Sequence, residues 1–184
     1  AQQIDNYFER MIHYSPPVFR HGYHHDLMAM VTRLYPIYQA ELRHLKDQLR
    51  AVYTASEGFP QYDDIEGELT ILFLLHFQPR RIFEFSPSHG WSTLYILNAI
   101  QTYQQQQGES KSIVELKSFD LEDYCSDIVH GYFPSLQQPN SSIRWSLTTG
   151  DVRHAFQPDF LDSPEPIDYL FIDSDHSKGF VKHY

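Results

Sequence analysis

Apolar and polar positions follow a helical pattern in the first 60 residues of the chain. Apolar side chains in the second part of this region recur at intervals of four and three residues: Tyr38, Leu42, Leu45, Leu49 and Val52. This spacing predicts an amphipathic helix, and Pro36 suits its first position. A helix from about Asp26 to Tyr35 is expected before it, and the histidine-rich segment 21–25 is expected to be a loop.

The apolar stripe of this region also bears on association. It runs for only about two heptads, short of the length that argues for a coiled coil. A helix packed on its own domain therefore explains it best, and a dimer seam, which would make the protein a homo-oligomer, is the alternative. We expect residues 1–60 to form an N-terminal helical extension.

Beyond residue 60 the pattern changes to alternating helices and strands. Short apolar runs at 81–85, 113–120, 143–148 and 169–172 are separated by helix-sized segments, including helices at 66–77 and 91–103. Such alternation indicates a parallel sheet with helices on both faces. The run 169–172 is continuously apolar, as expected of a strand buried on both faces. The polar run 104–107 suits a solvated linker. Residues 61–184 are thus expected to form an α/β domain with a Rossmann-like, doubly wound and mainly parallel sheet.

Composition limits the partners of the chain. Asp and Glu outnumber Lys and Arg by 24 to 14, a formal net charge of −10, which argues against nucleic acid or anionic membranes as main partners. The single cysteine, Cys125, excludes an internal disulfide and a multi-cysteine zinc site. No apolar run approaches the roughly 18 residues of a spanning helix. These features predict a soluble, cytoplasmic protein.

Acidic residues lie at or beside the ends of all four predicted strands. They are Glu84, Asp120, Asp151 and Asp173. Ligands of an open parallel sheet bind at the carboxyl ends of its strands. Four carboxylates there predict a crevice of hydrogen-bond acceptors suited to hydroxyls, amines or a cation.

The loop after the first strand, Ser86 to Gly90, leads directly into a helix. Backbone N–H groups of such a turn converge on one point and form an anion site. Gly90 is the single glycine of the segment, so the dinucleotide fingerprint G-x-G-x-x-G is absent. This absence argues against an NAD enzyme.

Five segments together resemble a known family. In chain order they are Ile65–Leu69, Arg81–Thr93, Ser118–Glu122, Thr149–Asp151 and Ile167–Ser177. They resemble class I S-adenosylmethionine-dependent methyltransferases, and most of all the small-molecule O-methyltransferase-like branch, over residues 63–184. The resemblance implies a Rossmann-like fold and methyl transfer from S-adenosylmethionine to a hydroxyl of a small-molecule acceptor, with sugars or glycan precursors the best guess.

The resemblance also implies a set of cofactor-binding residues: Glu66, Gly67, Glu84, Ser86, Ser88, Gly90, Trp91, Ser92, Thr93, Asp120 and Asp151. The loop ending at Gly90 would contact the methionine part of the cofactor, and the helix start after it would face the carboxylate. Asp120 would accept hydrogen bonds from the ribose hydroxyls, and Asp151 would lie by the adenine amino group. Glu66 and Gly67 would close the pocket.

Asp173 and His176 are the candidate catalytic residues, and the resemblance implies the first of them. His176 is a candidate because it follows two carboxylates at the end of the fourth predicted strand, and a loop histidine that caps the following helix is the alternative. Asp173 would lie beside the methyl group and the acceptor, either as the ligand of a divalent cation or as the acceptor of the hydroxyl proton. His176 could share the second role. Two departures stand out. Ser86 occupies a position where the family usually has glycine, and the sequence stops after the fourth strand although the family fold continues. We expect the sequence to be a fragment, because that strand would otherwise have an open edge.

The segment Asp173-Ser174-Asp175 fits two other enzyme classes. A D-x-D motif after an apolar strand also occurs in metal-dependent nucleotide-sugar glycosyltransferases and in haloacid-dehalogenase-like phosphatases. The phosphatase motif comes early in its domain, whereas only nine residues follow Asp175. The glycosyltransferase leaves the 84–93 segment unexplained. A non-catalytic Rossmann-like binding module is the remaining alternative.

Overall fold

The computed structural model describes residues 21–53, 64–106, 108, 112–151 and 166–173. By its contacts the chain divides into two compact units, Ala1–His76 and Phe77–Tyr184. The division into a helical extension and a sheet domain at residues 60 and 61 stays a prediction. The first unit contains helix α1 (His21–Tyr53) and all but the last residue of α2 (Asp64–Phe77).

Helix α1 differs from the two-helix prediction for this region. It is a single helix of 33 residues, with Pro36 inside it and the histidine-rich segment 21–25 in its first turns. An internal proline removes one backbone hydrogen bond and crowds the preceding turn. Val31 and Leu34 before it and Leu42 and Leu45 after it are all buried. Burial of apolar residues on both sides of Pro36 favours one continuous helix, so the predicted break was wrong.

Apolar side chains on most sides of residues 66–77 predict a buried helix, and Asp63, three residues before Glu66, suits a capping box at its start. Helix α2 confirms the burial in its middle turns, where Ile71, Leu72, Leu74 and Leu75 are almost fully buried, whereas Phe77 at its end is 59% exposed. Asp63 lies outside the described residues.

The second unit holds a parallel sheet of four described strands. They are β1 (Arg81–Phe85), β2 (Val114–Asp120), β3 (Ile143–Thr149) and β4 (Tyr169–Ile172), in the order β3-β2-β1-β4. All neighbouring pairs are parallel. The bounds agree with the predicted strands to within one residue at each end, and the predicted Rossmann-like α/β fold is confirmed.

Two helices and a short turn connect these strands. Helix α3 (Trp91–Gln106) joins β1 to β2, and α4 (Ser126–Tyr132) with a 3-10 turn (Pro134–Gln137) joins β2 to β3. Helix α3 is one turn longer than predicted, because Gln104 is buried and its Nε2 donates to the carbonyl oxygen of Ser112 at 2.5 Å. Residues 104–106 are therefore helical and not a linker; Gln104 is buried, whereas Gln105 and Gln106 are exposed to solvent as expected.

Apolar side chains pack on both faces of the sheet. The rings of Phe83 and Phe85 on β1 contact that of Phe119 on β2, with centroid distances of 5.7 and 5.5 Å. All of β1 is buried, whereas Leu170 and Ile172 of β4 are 46% and 40% exposed. Among the described strands β4 lies at the edge and pairs with β1 alone. The prediction that 169–172 is buried on both faces was wrong for this reason.

Asp168 aligns β4 with β1. Its Oδ2 accepts hydrogen bonds from the backbone N–H groups of Arg80 and Arg81 at 2.9 and 3.0 Å, and its own N–H donates to the carbonyl of Arg81 at 2.9 Å. The strand order reverses at this pair, since β2 and β3 lie on the other side of β1. In open α/β sheets such a reversal marks the ligand crevice, at the carboxyl ends of the strands.

Candidate functional site

The loop between β1 and α3 lies at this reversal and has an unusual backbone. Ser86, Ser88 and Gly90 all have positive φ angles, of 63°, 49° and 84°. Residues with a side chain adopt this region at a cost of about 1–2 kcal/mol. The backbone N–H of Ser86 donates to the carbonyl of Phe119 at 2.7 Å, and that of Gly90 to Pro87 at 2.7 Å. These bonds hold a tight turn that leads straight into α3.

Gly90 is the position of this loop where the space also requires glycine. A Cβ atom there would lie 2.8 Å from Cβ of Cys125 and 3.4 Å from Cγ2 of Val129. The close approach lets the start of α3 pack against the segment that opens α4.

Asp120, at the end of β2, connects three loops. Its Oδ2 accepts a hydrogen bond from the backbone N–H of Ser88 at 2.8 Å, and its Oδ1 accepts one from Leu121 at 2.7 Å. Its backbone carbonyl accepts the N–H of Gly150 at 2.8 Å. A carboxylate offers about four lone-pair sites, so Asp120 keeps the capacity to accept hydrogen bonds from a ligand.

Glu84 lies in the interior rather than in the open crevice that the sequence suggested. Its side chain is 0% exposed. Three hydroxyls donate to it: Ser92 to Oε1 at 2.6 Å, Thr93 to Oε2 at 2.8 Å and Ser118 to Oε2 at 2.5 Å. Burial raises the pKa of the Glu84 carboxyl, although these hydroxyl bonds lower it. Direct contact of Glu84 with a cofactor stays a prediction.

The first turn of α3 presents backbone donors next to this loop. The first bond of the turn joins the N–H of Leu94 to the carbonyl of Gly90 at 2.9 Å. The N–H groups of the first turn of an α-helix lie beyond the reach of its i−4 carbonyls, and the helix dipole is positive there. Because the hydroxyls of Ser92 and Thr93 bond to Glu84, an anion at this end would be held by backbone N–H groups.

The other predicted site residues of the sheet lie at strand ends. Asp151 is partly buried and follows β3. Asp173 follows β4, is exposed, and donates its backbone N–H to the carbonyl of Phe85 at 3.3 Å. This bond places Asp173 beside the end of β1. His176 lies outside the described residues.

Glu66 and Gly67 lie on α2, in the first unit. Glu66 is exposed and Gly67 is buried. Their predicted role in closing a pocket stays a prediction.

Sequence reasoning missed two residues beneath the loop. Nε1 of Trp145 on β3 donates to Oγ of Ser118 at 3.0 Å, and Ser118 in turn bonds to Glu84. From the sequence alone, Trp145 is most simply a packing residue. Ser118 could have been found because it lies directly opposite Glu84 in two neighbouring buried strands. Neither side chain can be buried without a hydrogen-bond partner.

A row of exposed side chains beside Asp120 was also missed. The ring of His89 stacks on that of Tyr124 at a centroid distance of 6.0 Å, and the hydroxyl of Tyr124 donates to Glu122. That hydrogen bond raises the pKa of Tyr124.

The described residues contain neither a cluster of metal ligands nor a membrane-spanning helix. Within the described residues, no group of three or more His, Cys, Asp and Glu side chains is placed to hold a metal ion. None of the described helices combines the length and the apolar character needed to cross a membrane.

The reversed strand order beside β1, the tight turn into α3 and the carboxylate ending β2 define a Rossmann-like domain with a ligand crevice at the carboxyl ends of its strands. A family model described as a methyltransferase domain matches residues 87–184. The chain belongs to this family, and its recognition as a class I S-adenosylmethionine-dependent methyltransferase is confirmed.

A similar solved structure is that of the SAH-bound methyltransferase PaMTH1 of Podospora anserina. It is 17% identical, with a TM-score of 0.47, and the match covers 77% of this chain and 54% of that one. The chain thus spans about half the length of that methyltransferase. No curated protein sequence matches significantly.

Proposed function

We propose that this protein transfers a methyl group from S-adenosylmethionine to a hydroxyl of a small-molecule acceptor. The observation that carries the proposal is that the loop between β1 and α3 connects the carboxylate of Asp120 with the start of α3. The carboxylate of Asp120 accepts the N–H of Ser88, and two residues later Gly90 begins the first turn of α3. A hydroxyl-binding carboxylate and an anion-binding helix start are therefore held close together.

These two groups fit the two polar ends of the cofactor. Asp120 would accept hydrogen bonds from the ribose hydroxyls, since one carboxylate can accept from both hydroxyls of a diol. The N–H groups of Trp91, Ser92 and Thr93 would hold the carboxylate of the methionine part. The turn between them is tight, with positive φ angles at Ser86, Ser88 and Gly90, and Asp151 would face the adenine amino group.

The bound cofactor supplies a methyl group on a sulfonium, which is activated for displacement by an oxygen nucleophile. The protein orients the acceptor in line with that group and moves its hydroxyl proton. Asp173 is the proposed proton acceptor because it is exposed at the end of β4, next to the end of β1. His176 would share this role.

The proposed acceptor class rests on the family resemblance and on Asp173. Asp120 and Asp151 are assigned to the cofactor, whereas the exposed carboxylate of Asp173 offers oxygens that accept strong hydrogen bonds from hydroxyls. A polyhydroxylated acceptor such as a sugar is therefore the proposed substrate. A divalent cation at Asp173 is the alternative to direct proton transfer, and loss of turnover in EDTA would distinguish the two roles.

Binding of S-adenosylhomocysteine tests the proposal. At about 100 times its dissociation constant this product should stabilise the protein by roughly 2.7 kcal/mol. Asp120→Ala should weaken binding by about ten- to a hundred-fold, because it removes charge-assisted hydrogen bonds of about 1.5–3 kcal/mol. Calorimetry measures the affinity, and thermal unfolding measures the stabilisation.

Asp168→Ala is the matched control. Asp168 also accepts two backbone N–H groups, but at the amino ends of the strands. It should lower stability and leave the affinity unchanged. A folded wild-type protein without a thermal shift at saturating S-adenosylhomocysteine would contradict the proposal. Equal losses of affinity in both variants would show that the effect of Asp120 is general destabilisation.

A further inference from the structure

A chain of hydrogen bonds, partly buried at Trp145 and fully buried from Ser118 onward, crosses the sheet and ends at the start of α3. Nε1 of Trp145 on β3 donates to Oγ of Ser118 on β2 at 3.0 Å, and this hydroxyl donates to Oε2 of Glu84 on β1 at 2.5 Å. The same carboxyl accepts the hydroxyls of Ser92 at 2.6 Å and Thr93 at 2.8 Å. The chain therefore joins three strands to the first turn of the helix.

The chemistry of the indole fixes the direction of this chain. An indole N–H can donate but cannot accept, whereas a serine hydroxyl has one proton and two lone pairs. When Trp145 donates to Ser118, it occupies a lone pair and leaves the proton of Ser118 for Glu84. Ser118 and Glu84 lie directly opposite each other in the β1–β2 ladder and are both 0% exposed, so water does not compete for the hydrogen bond between them.

The carboxyl of Glu84 in turn accepts hydrogen bonds from the hydroxyls of Ser92 and Thr93. Each hydroxyl has a single proton, and both protons are directed at Glu84. The two side chains thereby fix the rotation of the first turn of α3 relative to β1. If Ser118 no longer donates to Glu84, no water molecule can replace it, because this carboxyl is buried. The hydrogen bonds from Ser92 and Thr93 to Glu84 would then have to adjust.

We infer that Trp145 and Ser118 are positioning residues for cofactor binding, which act through Glu84 on the first turn of α3. This inference rests on the proposed function, because it assumes that the first turn of α3 holds the cofactor. It assigns an effect on affinity to Trp145, whose strand is separated from β1 by β2.

Three variants test the inference by calorimetry with S-adenosylhomocysteine. Trp145→Phe keeps an aromatic ring and removes the N–H, and Ser118→Ala removes the hydroxyl that links the indole to the carboxyl. Each should weaken binding by about three- to ten-fold, the effect of losing one hydrogen bond. The double variant should bind S-adenosylhomocysteine with about the affinity of the single variant that binds it less tightly, because both changes interrupt the same chain of hydrogen bonds.

Tyr103→Phe is the matched control. The hydroxyl of Tyr103 is buried and donates to the carbonyl of Pro79 at 2.6 Å, near the other end of α3. Its removal also costs one buried hydrogen bond, so it should lower the melting temperature and leave the affinity for S-adenosylhomocysteine unchanged. A purely structural role of Trp145 and Ser118 would give the same result as this control.

The outcomes separate the inference from the proposed function. If wild-type protein binds S-adenosylhomocysteine and both single variants bind it equally well, the inference is overturned alone. If the wild-type protein is folded and does not bind, the proposed function fails and the inference fails with it. Should Trp145→Phe not fold, Ser118→Ala decides: weaker binding supports the inference and unchanged binding overturns it.

Discussion

Gly90→Ala should strongly destabilise the protein, because alanine meets two separate obstacles at this position. The backbone has a φ angle of +84°, and the added Cβ would lie 2.8 Å from Cβ of Cys125. Neither atom is the end of a flexible chain. The contact can be relieved only by moving the start of α3 away from the segment that opens α4.

The two obstacles contribute comparable free energies. A residue with a side chain in the left-handed region costs about 1–2 kcal/mol. Forcing extra volume into a packed site typically costs about 1–3 kcal/mol. We therefore expect Gly90→Ala to lower the free energy of unfolding by about 2–5 kcal/mol, a large part of the roughly 5–15 kcal/mol typical of a folded domain.

Urea denaturation followed by circular dichroism measures this loss, and two other glycines provide controls. Gly108 has a φ angle of +67° and open space around it, so Gly108→Ala reports the backbone cost alone. Gly131 lies in α4 with no atom within 4 Å of an added Cβ. Gly131→Ala should stabilise the helix by up to about 1 kcal/mol.

The comparison of these variants can refute each part of the reasoning. If Gly90→Ala costs no more than Gly108→Ala, the contact with Cys125 has no energetic weight. If Gly90→Ala is as stable as wild type at an unchanged m-value, both the backbone and the packing arguments are wrong.

Three further predictions concern single side chains. Burial raises the pKa of Glu84 above its ordinary value of 4.5, so the contribution of this carboxyl to stability is present below that value and is lost as pH rises through the raised pKa. In urea titrations from pH 4 to pH 8, Glu84→Gln should therefore gain stability relative to wild type as pH rises. A stability difference independent of pH would contradict this. Burial, together with the charge of Glu84, raises the pKa of the Cys125 thiol to about 12. Iodoacetamide at about pH 8 should therefore leave the folded protein unmodified and label one thiol per chain in urea. Rapid labelling of the folded protein would show that the thiol is accessible. Asp173→Asn should keep the affinity for S-adenosylhomocysteine within a few-fold and lower turnover of hydroxyl acceptors by about 10²–10⁴; full turnover would exclude both proposed roles of Asp173.

The sequence by itself determined the strands and their chemistry at the carboxyl ends. Alternation of apolar runs with helix-sized segments located all four strands to within one residue at each end, because strand and helix periodicities are local properties of the chain. Asp120 could be recognised as a strand-end carboxylate for the same reason.

Contacts between distant residues decided what the local pattern could not. Pro36 was expected to begin a helix, yet buried residues on both sides of it keep α1 continuous. Gln104 was expected in solvent, yet its amide bonds to Ser112 from a buried position.

The role of Glu84 shows the same limit at the site. A glutamate near a strand end suggests a ligand for a crevice, but its environment depends on Ser118, 34 residues away, and on the helix start at Ser92 and Thr93. Whether such a carboxylate faces solvent or three buried hydroxyls is decided by the packing of β2 and α3 against β1. Periodicity along the chain contains no information on that packing, so only the tertiary structure assigns Glu84 to the interior.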